Sequence, residues 1–403
     1  MANNNKHTGP NVPALRFPEF SGEWESCTFG DVTNNFSRRN KERIQYPMFS
    51  VTNNRGFVPQ SEQFEDREMV GEDIQAYKII EKGDFAYNPA RINVGSIAKY
   101  EGNEKCMISS LYVCFKVIDS IDRNWFMHLL KTPKMNFYYN LNGEGGVRVY
   151  LFYPNFARIR SSYPSLVEQK KIAAILSLID ERIATQSKII GELTTLRSAL
   201  NEMLYRDSET FQELSFNDVG ESYSGLSSKS SDDFGSGYPY IPYTNIFAND
   251  VIDENQFEYV QIREDESQNI VCYGDLLMTL SSETPEEVGI GSVYLGNESP
   301  LYLNSFAFGI HITRTDLVYP PYLSWLASTK SFRKFILPFA QGSTRYNLQK
   351  TDFMKAKYRF PTLERQKTIY ELLSRYSSKI TNEENILEVY LIQKQGLVEQ
   401  MFI

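Results

Sequence analysis

Two stretches of the chain carry apolar residues at the heptad spacing of a coiled coil. The first runs from residue 166 to 204 without a proline or a turn cluster, and the second runs from residue 360 onwards. This spacing predicts a helix with one apolar stripe, and each stretch predicts about forty helical residues, ~60 Å in length. Each stripe has two polar breaks, Gln186 and Arg197 in the first and Glu383 and Lys394 in the second. The stripe residues are Ile172, Leu176, Ile179, Ile183, Ile190, Leu193, Leu200 and Leu204, and then Ile369, Leu373, Tyr376, Ile380, Leu387, Tyr390, Leu397 and Met401.

The two helical stretches are copies of each other. Residues 163–172 (YPSLVEQKKI) recur as residues 360–369 (FPTLERQKTI), at an offset of 197 that holds without a gap for about forty residues. The same offset pairs Arg148 with Arg345, and weaker echoes lie further upstream at drifting offsets. A repeat of this kind indicates a duplicated structural unit, and the drift indicates loop insertions. The chain is therefore predicted to be a tandem duplication with a pseudo-two-fold internal repeat.

The segments that precede these helices have the irregular pattern of globular α+β domains. Short runs of alternating apolar and polar residues predict strands, and Gly, Pro and Asn clusters between them predict turns. We therefore predict two similar α+β globular domains separated by two long antiparallel coiled-coil helices. The predicted segments are an N-terminal arm (1–21), a first globular domain (22–162), a central helix (163–205), a second globular domain (206–359) and a C-terminal helix (360–403).

The polar breaks also predict how the two helices pair. When facing residues have numbers that sum to 580, every apolar stripe position meets an apolar one, and Arg197 lies opposite Glu383. Buried polar residues of compatible charge can fix a register in this way. We expect this register in preference to a one-heptad slip, with a sum of 573, which opposes Glu383 to Ile190.

Composition narrows the class of protein. The chain of 403 residues has no run of 18 apolar residues, which predicts no membrane span. Its polar, Asn-rich start lacks the apolar core of a secretory signal, so we predict a cytoplasmic location. The four cysteines form no CxxC pair, and neither a structural zinc site nor a disulfide framework is favoured. The net charge of −8 argues against a protein that coats nucleic acid indiscriminately but allows local basic faces.

Three motifs occur in a specific order. Residues 12–20 (VPALRFPEF) precede Trp24, residues 88–96 read NPARINVGS, and a P-x-x-x-x-Q-K-x-I segment opens each long helix. With this order and the duplication, the chain resembles the specificity subunit of Type I restriction-modification systems over essentially its whole length.

The resemblance implies a non-catalytic subunit with two target-recognition domains, each reading one half of a split, asymmetric double-stranded DNA site. The two long helices would be the spacer that fixes the gap between the halves and would dock partner subunits. Those partners would be two modification subunits, which carry S-adenosylmethionine and methylate adenine, and through them the restriction subunits, which use ATP and Mg²⁺. The chain itself is expected to hold no cofactor and no metal.

The sequence contains no recognisable catalytic or ATP-binding motif. Its closest approach to an adenine methyltransferase motif is Asn88-Pro89-Ala90-Arg91, which lacks the second proline and the stacking ring, and no GxxxxGK[ST] loop for ATP is present. Two alternatives stay open at this point. One is a coiled-coil scaffold with no role in DNA binding, and the other is a catalytic protein with an unrecognised site.

Donor chemistry selects candidate DNA contacts in the first domain. Arg and Lys bind guanine or phosphate, Asn and Gln pair with adenine, and Ser, Thr and Tyr mainly position the DNA backbone. Arg148 and its repeat Arg345 are favoured because each follows a glycine of the repeat, and the rival interpretation is an arginine that braces the helix start. The candidates are Arg38, Arg39, Lys41, Arg43, Asn53, Asn54, Arg55, Arg91, Asn93, Lys99 and Arg148.

The second domain is acidic. Residues 211–350 contain 8 Lys and Arg against 18 Asp and Glu, a net charge of −10, whereas residues 24–150 balance at 16 against 16. A DNA-binding face in the second domain must therefore be confined to a locally neutral or basic patch. The candidates are Lys229, Tyr243, Thr244, Asn245, Ser281, Ser282, Arg345, Asn347 and Lys350.

Overall fold

The computed structural model of the chain describes residues 11–63, 74–145, 149–207 and 210–403. These residues form two compact units. Unit 1 comprises the N-terminal part of the chain up to Gln186 together with Ile386–Ile403, and unit 2 comprises Ser187–Asn385. Each of the two long helices therefore contributes one part to each unit. No helix within the described residues is long and apolar enough to cross a membrane.

Unit 1 is an α+β domain with short antiparallel strands. Its strands are β1 (Glu25–Thr28), β2 (Thr33–Phe36), β3 (Phe49–Thr52), β4 (Gly56–Pro59), β5 (Lys78–Ile80), β6 (Phe85–Tyr87), β7 (Ile97–Lys99), β8 (Cys106–Ile108), β9 (Val113–Val117) and β10 (Arg160–Tyr163). A central sheet has the order β2-β9-β6-β7, and smaller sheets pair β1 with β10, β3 with β4 and β5 with β8.

The helices of unit 1 begin at residues that cap them. Thr28, Asp122 and Thr132 each accept a hydrogen bond from the first turn of the helix that follows, which satisfies backbone donors that a helix start leaves free. The helices are α1 (Phe29–Val32), α2 (Gln60–Gln63), α3 (Arg123–Leu130), α4 (Pro133–Asn142), α5 (Tyr153–Ala157) and α6 (Leu166–Arg206), which continues into unit 2.

Aromatic rings fill the core of unit 1. Phe29, Phe85, Phe115, Phe126 and Phe156 are fully buried in one cluster. Phe29 and Phe156 have ring centroids 4.9 Å apart, and Phe85 stacks on Phe115 at 5.1 Å. Such contacts between rings add to the apolar area that each ring buries. The high aromatic content of the chain is thus used in part to pack the helices against the central sheet.

Unit 2 repeats the architecture of unit 1. Its strands are β11 (Phe211–Ser215), β12 (Gly220–Ser224), β13 (Phe234–Ile241), β14 (Glu258–Val260), β15 (Leu276–Thr279), β16 (Ser281–Ser282), β17 (Gly291–Val293), β18 (Tyr302–Leu303), β19 (Ala307–Ile312), β20 (Ala340–Gln341), β21 (Tyr346–Leu348) and β22 (Lys357–Pro361). Its helices are α7 (Phe216–Val219), α8 (Tyr243–Ala248), α9 (Leu323–Ala327), α10 (Lys330–Ile336), α11 (Lys350–Lys355) and α12 (Leu363–Met401). The sheet β12-β19-β15-β17 corresponds to β2-β9-β6-β7 of unit 1. The predicted duplication of an α+β domain followed by a long helix is confirmed.

The duplication extends to single hydrogen bonds. In unit 1 the backbone N–H of Thr28 donates to Asp31 Oδ2 at 2.8 Å, and the Asp31 N–H donates back to the Thr28 hydroxyl. In unit 2 the Ser215 N–H donates to Asp218 Oδ2 at the same 2.8 Å, and the return bond is also present. Each reciprocal pair is a capping box at the N-terminus of the short helix that follows the first strand of the unit, and it satisfies two backbone donors.

A buried glutamine joins each globular domain to its long helix. Gln169 Oε1 accepts the backbone N–H of Asp122 at 2.7 Å, and Gln169 Nε2 donates to the carbonyl of the proline that precedes α6 at 2.9 Å. Gln366 repeats both bonds, with the N–H of Tyr319 at 2.8 Å and the proline that precedes α12 at 2.8 Å. The glutamine of the repeated P-x-x-x-x-Q-K-x-I segment is therefore a structural residue in both copies.

The N-terminal motif is held to α6 by a buried carboxylate. Glu168, with 1% of its side chain exposed, accepts two hydrogen bonds of 2.8 Å from the guanidinium of Arg16. The indole N–H of Trp24 also donates to Glu168, at 3.4 Å. A bidentate pair of this kind fixes geometry as well as charge. It explains why the motif at 12–20 and Trp24 occur together with the start of the long helix.

The predicted register of the two long helices is wrong. In unit 1, Asp180 Oδ1 lies 2.5 Å from Lys394 Nζ, and in unit 2, Arg197 Nη1 donates to Ser377 Oγ at 2.9 Å. The numbers of both pairs, 180 with 394 and 197 with 377, sum to 574, close to the one-heptad slip. The polar residues of the stripes find other partners: Lys394 pairs with Asp180, and the guanidinium of Arg197 lies 5.4 Å from the centre of the Trp325 ring. Glu383 pairs along its own helix with Lys379.

The acid stability of unit 1 is expected to depend on His128. This side chain of α3 is 13% exposed and lies 3.9 Å from Asp180, and burial lowers its pKa to about 4 although Asp180 opposes the shift. The unfolded chain binds a proton near the ordinary value of 6.5, whereas the folded chain resists protonation until about pH 4. Stability from this group is therefore present above pH 6.5, falls between pH 6.5 and 4, and changes no further below.

The measurement is urea unfolding of the full chain at pH 7.5 and pH 5. Between pH 7.5 and pH 5, we expect the free energy of unfolding of the native protein to fall by about 1–2 kcal/mol more than that of the variant His128→Gln. Equal losses in the two proteins would show that His128 does not resist protonation in the folded state.

Candidate nucleic-acid interface

The candidates Asn53, Asn54 and Arg55 form the tip of the hairpin between β3 and β4 in unit 1. The Thr52 hydroxyl accepts the backbone N–H of Arg55 at 3.0 Å, which closes the turn, and all three tip side chains are exposed. Gly95, at φ 99°, approaches this tip so closely that a Cβ there would stand 3.2 Å from the carbonyl oxygen of Asn53. A held turn thus presents two amides and a guanidinium.

The hairpin tip lines an open cavity of about 520 Å³. Asn88 and Arg91, which follow β6, also line it, as does Tyr112. Arg55 forms an ion pair with Glu62 at 2.7 Å between side chains that are 67% and 50% exposed. An exposed pair of this kind contributes little, so the guanidinium can exchange Glu62 for a phosphate or a base edge. The cavity therefore collects donors suited to guanine and adenine.

Three further basic candidates, Arg39, Lys41 and Arg43, are exposed in the loop that precedes β3. The loop is organised by Asn40, which is fully buried. The Asn40 side chain donates to the carbonyl of Ile44 at 2.8 Å and accepts its N–H at 3.1 Å. Exposed cations on a loop of fixed shape are suited to contact DNA phosphates, which position a protein without reading sequence.

In unit 2 the candidates Tyr243, Thr244, Ser281, Ser282 and Arg345 meet around one open cavity of about 510 Å³. Tyr243 begins α8 and donates its hydroxyl to the carbonyl of Ser281, in β16, at 3.0 Å. The two serines pair with β21, and Arg345 directly precedes that strand. The structure thus brings together segments that are up to 102 residues apart in sequence, from 243 to 345.

Sequence reasoning missed the aromatic part of this cavity. Phe247 and Phe306 line it with 40% and 55% of their surface exposed. The guanidinium of Arg345 stands 5.7 Å from the centre of the Phe306 ring, and Glu287 accepts the Ser282 hydroxyl at 2.6 Å. Exposed rings beside an arginine can stack on sugars and bases. In sequence nothing distinguished these two rings from the many buried ones.

The two cavities lie at equivalent places in the duplicated fold. Each is lined by residues that directly follow an inner strand of the central sheet, Asn88 and Arg91 after β6 and Ser281 and Ser282 after β15. Each is also lined by the segment that follows β3 in unit 1 or β13 in unit 2. The residues differ between the two cavities although the positions correspond.

The chain matches one family model twice, that of the Type I restriction modification DNA specificity domain, over residues 22–195 and 208–389. The chain belongs to this family. Its fold is similar to the S subunit of the Type I restriction-modification system from M. genitalium, at 13% identity over 97% of this chain and 99% of that chain, with a TM-score of 0.56. No curated protein sequence matches the chain.

A second similar structure comes from work on complex assembly and conformational transition of the type I R-M system. It is 13% identical over 94% of this chain and 97% of that chain, with a TM-score of 0.60. At this identity the likeness shows the fold alone. Family membership itself confirms that the chain is a non-catalytic specificity subunit with two DNA-recognition domains.

The specificity subunit uses Arg38 differently from its neighbours in the basic patch. Its Nη1 lies 2.9 Å from Glu81 Oε2 and 3.6 Å from Asp84 Oδ2, and its guanidinium also stands 5.2 Å from the Phe36 ring centre. These contacts make Arg38 part of an internal ion-pair cluster. Its role here is to neutralise the nearly buried Asp84 and not to extend toward a cavity.

Two other candidates of unit 1 are also held by neighbours. Asn93 donates to Asn140 Oδ1 at 3.0 Å. Lys99, whose side chain is 10% exposed, forms an ion pair with Glu101 at 2.5 Å and also donates to Asn124. Neither lines the cavity of unit 1. Arg148 lies outside the described residues.

In unit 2, Asn245 and Lys229 are corrections to the expected set. Asn245 is fully buried and binds the backbone of Asp253 through its Oδ1 (3.1 Å) and its Nδ2 (2.9 Å), so it has no side-chain group left for DNA. Lys229, with a side chain only 4% exposed, is neutralised by Glu266 and donates to the carbonyl of Gln261. Both positions were proposed from residue type, and tertiary contacts already satisfy them.

The last two candidates of unit 2, Asn347 and Lys350, do not line the cavity. Asn347 is exposed in β21 and pairs across the strands with Ser281. Lys350 begins α11, is half-buried, and places its ammonium 5.6 Å from the centre of the Phe308 ring. The Asn347 amide is exposed, and its Nδ2 donates to the carbonyl of Arg345 at 3.5 Å.

Proposed function

We propose that the chain recognises a bipartite, asymmetric site on double-stranded DNA, with one half read by each recognition domain. The observation that carries this proposal is the equivalent placement of the two cavities, because a duplicated frame with different lining residues suits two different half-sites. Arg55, Arg91 and Asn53 in unit 1, and Arg345 in unit 2, are the side chains proposed to reach base edges. Arg39, Lys41 and Arg43 are proposed to contact phosphates.

We assign the proposed functions to segments as the sequence predicted them. Residues 22–162 and 206–359 are the target-recognition domains, and residues 163–205 and 360–403 are the spacer helices, with an arm at 1–21. The helices Leu166–Arg206 and Leu363–Met401 support the spacer role because neither is interrupted. The proposed location is the cytoplasm, where the host DNA lies.

Two modification subunits are the proposed direct partners, and restriction subunits would join through them. S-adenosylmethionine, ATP and Mg²⁺ would be held by those partners. Exposed apolar side chains on the long helices support a docking role in unit 1, where Leu178, Val389 and Ile392 are 59%, 61% and 63% exposed. Apolar side chains that remain open to water in a folded chain are typical of surfaces that bind a partner.

An exchange of one domain tests the division of labour. Residues 22–162 are replaced by the matching residues of a relative with another target, and the methylated motif is read in cells that also carry the modification subunits. We expect one half of the motif to change and the other to stay. A chain with its own residues 22–162 reintroduced is the control. A change in both halves would refute the assignment of one half to each domain.

Lengthening the spacer is expected to change the gap and leave the bases of each half unchanged. Four residues inserted after Leu193 add about 6 Å of helix, and one base pair spans ~3.4 Å. We therefore expect the gap between the half-sites to grow by about one to two base pairs. The methylated motif is again the measurement. An altered half-site with an unchanged gap would contradict the spacer role.

A further inference from the structure

Three side chains that commonly bind transition metals meet in unit 2. Cys272 lies before β15, Asp275 ends the same turn, and His311 lies in β19. Their candidate ligand atoms all lie within 4.8 Å of one another. The turn is held by the backbone N–H of Cys272, which donates to Asp275 Oδ2 at 2.8 Å. Asp275 Oδ1 lies 2.8 Å from His311 Nδ1.

The same three positions exist in unit 1 with different residues. There the backbone N–H of Glu81 donates to Asp84 Oδ2 at 2.9 Å, which reproduces the turn between Cys272 and Asp275. Lys116 in β9 lies 3.5 Å from Asp84 Oδ1 and so takes the place of the histidine. The duplicated frame therefore places a carboxylate at its centre in both units and varies the two groups around it.

The two sites differ in how the central charge is met. In unit 1, Asp84 and Glu81 are surrounded by cations, with Lys105 and Arg38 at 3.0 and 2.9 Å from Glu81 and Lys116 beside Asp84. In unit 2, no lysine or arginine of the described residues forms an ion pair with Asp275, which is 2% exposed, and His311 is its partner. A nearly buried carboxylate is costly unless it is paired.

We propose that Cys272, Asp275 and His311 form a binding site for a divalent transition metal of the zinc class. A thiolate, a carboxylate and an imidazole are ligands that zinc prefers, and three protein ligands leave a fourth position for water. The thiol proton of Cys272 passes to solvent, and the imidazole carries its remaining proton on Nε2 while Nδ1 binds the metal. With one thiolate and one carboxylate, the metal ion brings the site to neutrality. It thus supplies the positive charge that lysine and arginine supply in unit 1.

Binding of the ion requires the ligand atoms of Asp275 and His311 to move apart. Two ligands at about 2.0–2.2 Å from a tetrahedral ion stand ~3.4 Å apart, whereas Asp275 Oδ1 and His311 Nδ1 are 2.8 Å apart. A widening of about 0.6 Å therefore admits the ion. Tyr223 stacks on the His311 ring with centroids 4.2 Å apart and donates to Asp275 Oδ2 at 2.7 Å, which orients both ligands. Such outer contacts tune metal sites.

The metal site would be connected to the cavity of unit 2 through strand β15. Asp275 directly precedes β15, and β15 leads to the cavity residues Ser281 and Ser282. A metal that joins this turn to β19 would fix the strand that ends at the cavity. Metal binding at this site is measured on the chain alone and is independent of the proposed DNA target.

The test is titration of the purified full-length chain, freed of metal with a chelator, with Co²⁺ and then Zn²⁺. We expect one Co²⁺ per chain, with the thiolate-to-metal absorption and the intense visible bands of a four-coordinate ion, and displacement of Co²⁺ by Zn²⁺. The variant Cys272→Ser should lose the thiolate absorption and bind Zn²⁺ at least about tenfold more weakly. Cys27→Ser, in unit 1, is the matched control and should bind like the native chain.

A double variant separates metal binding from folding. Cys272→Glu with His311→Lys copies the residues that unit 1 carries at these positions, so we expect a folded chain that binds no Zn²⁺. Failure of the native chain to bind one equivalent of either ion overturns the proposal. Equal affinity of the native chain and Cys272→Ser, or a Co²⁺ spectrum without thiolate absorption, overturns it as well.

Discussion

Replacement of Gln366 by leucine is expected to lower the free energy of unfolding of unit 2 by about 3–5 kcal/mol. Gln366 is fully buried and makes three hydrogen bonds, with the N–H of Tyr319 and the carbonyls of Leu317 and Pro361, at 2.8 to 3.0 Å. Leucine fills a similar volume but leaves these backbone groups unpaired in the interior. Each buried group left without a partner costs ~1–3 kcal/mol. This cost exceeds the free energy gained by burying an apolar leucine side chain in place of a polar amide.

Urea unfolding followed by hydrogen exchange measures this loss and assigns it to one unit. The matched control is Gln393→Leu, the same substitution at an exposed position of the same helix, for which we expect a change within ~0.5 kcal/mol. Gln169→Leu is expected to destabilise unit 1 by a similar amount, because Gln169 bonds the equivalent groups. If Gln366→Leu unfolds like Gln393→Leu, the glutamine does not join the domain to its helix.

Replacement of Arg345 by alanine is expected to weaken specific DNA binding by ~1–3 kcal/mol, roughly 5- to 150-fold, when the chain is assembled with its modification subunits. Arg345 is exposed at the cavity of unit 2, and its guanidinium stands 5.7 Å from the centre of the Phe306 ring, within the range of a cation–π contact. A positioned guanidinium can bind two acceptors of guanine at once. In a domain as acidic as this one, few other side chains can replace it.

Binding to the native target and to targets with one altered base measures the effect. Arg314→Ala is the control, because Arg314 is also exposed in unit 2 but pairs with Asp316 away from the cavity. Arg345→Lys should fall between the native protein and Arg345→Ala, since it keeps the charge and loses the planar fork. If Arg345→Ala binds the native target as tightly as Arg314→Ala does, Arg345 is not a DNA contact.

Much of the fold followed from the repeat, and the reason is local. The P-x-x-x-x-Q-K-x-I segment recurs because its glutamine and proline make the same bonds in both copies. The start of each long helix is therefore fixed by residues that are close in sequence. Loops such as the one that contains Lys229 differ in length between the two copies, and no short-range sequence pattern predicts their tertiary contacts.

The incorrect predictions concern polar side chains whose partners are distant in sequence, and these partners could not be seen from the local pattern. Asn245 was a candidate because of its residue type, but the backbone of Asp253 binds its side chain. The helix register was inferred by matching polar breaks to each other, whereas Lys394 is satisfied by Asp180, one position beside the stripe. Cys272 and His311 are 39 residues apart, and only the pairing of strands brings them together.

The candidate DNA site was predicted in part. Residue type and repeat position selected Tyr243, Thr244, Ser281, Ser282 and Arg345, which the fold collects around one cavity. Their DNA-binding role stays a prediction. The exposed rings of Phe247 and Phe306 could not be found from composition, because most aromatic residues of this chain pack its cores.

The central claim is that this chain, with its modification subunits, directs methylation to a two-part DNA site. Genome-wide mapping of methylated adenine in a host that carries these subunits and the chain tests it most directly, with the same host lacking the chain as the control. We predict one motif of two short specified halves separated by a gap of fixed length, absent from the control host. Methylation without a motif, a single continuous motif, or the same motif without the chain would contradict the account.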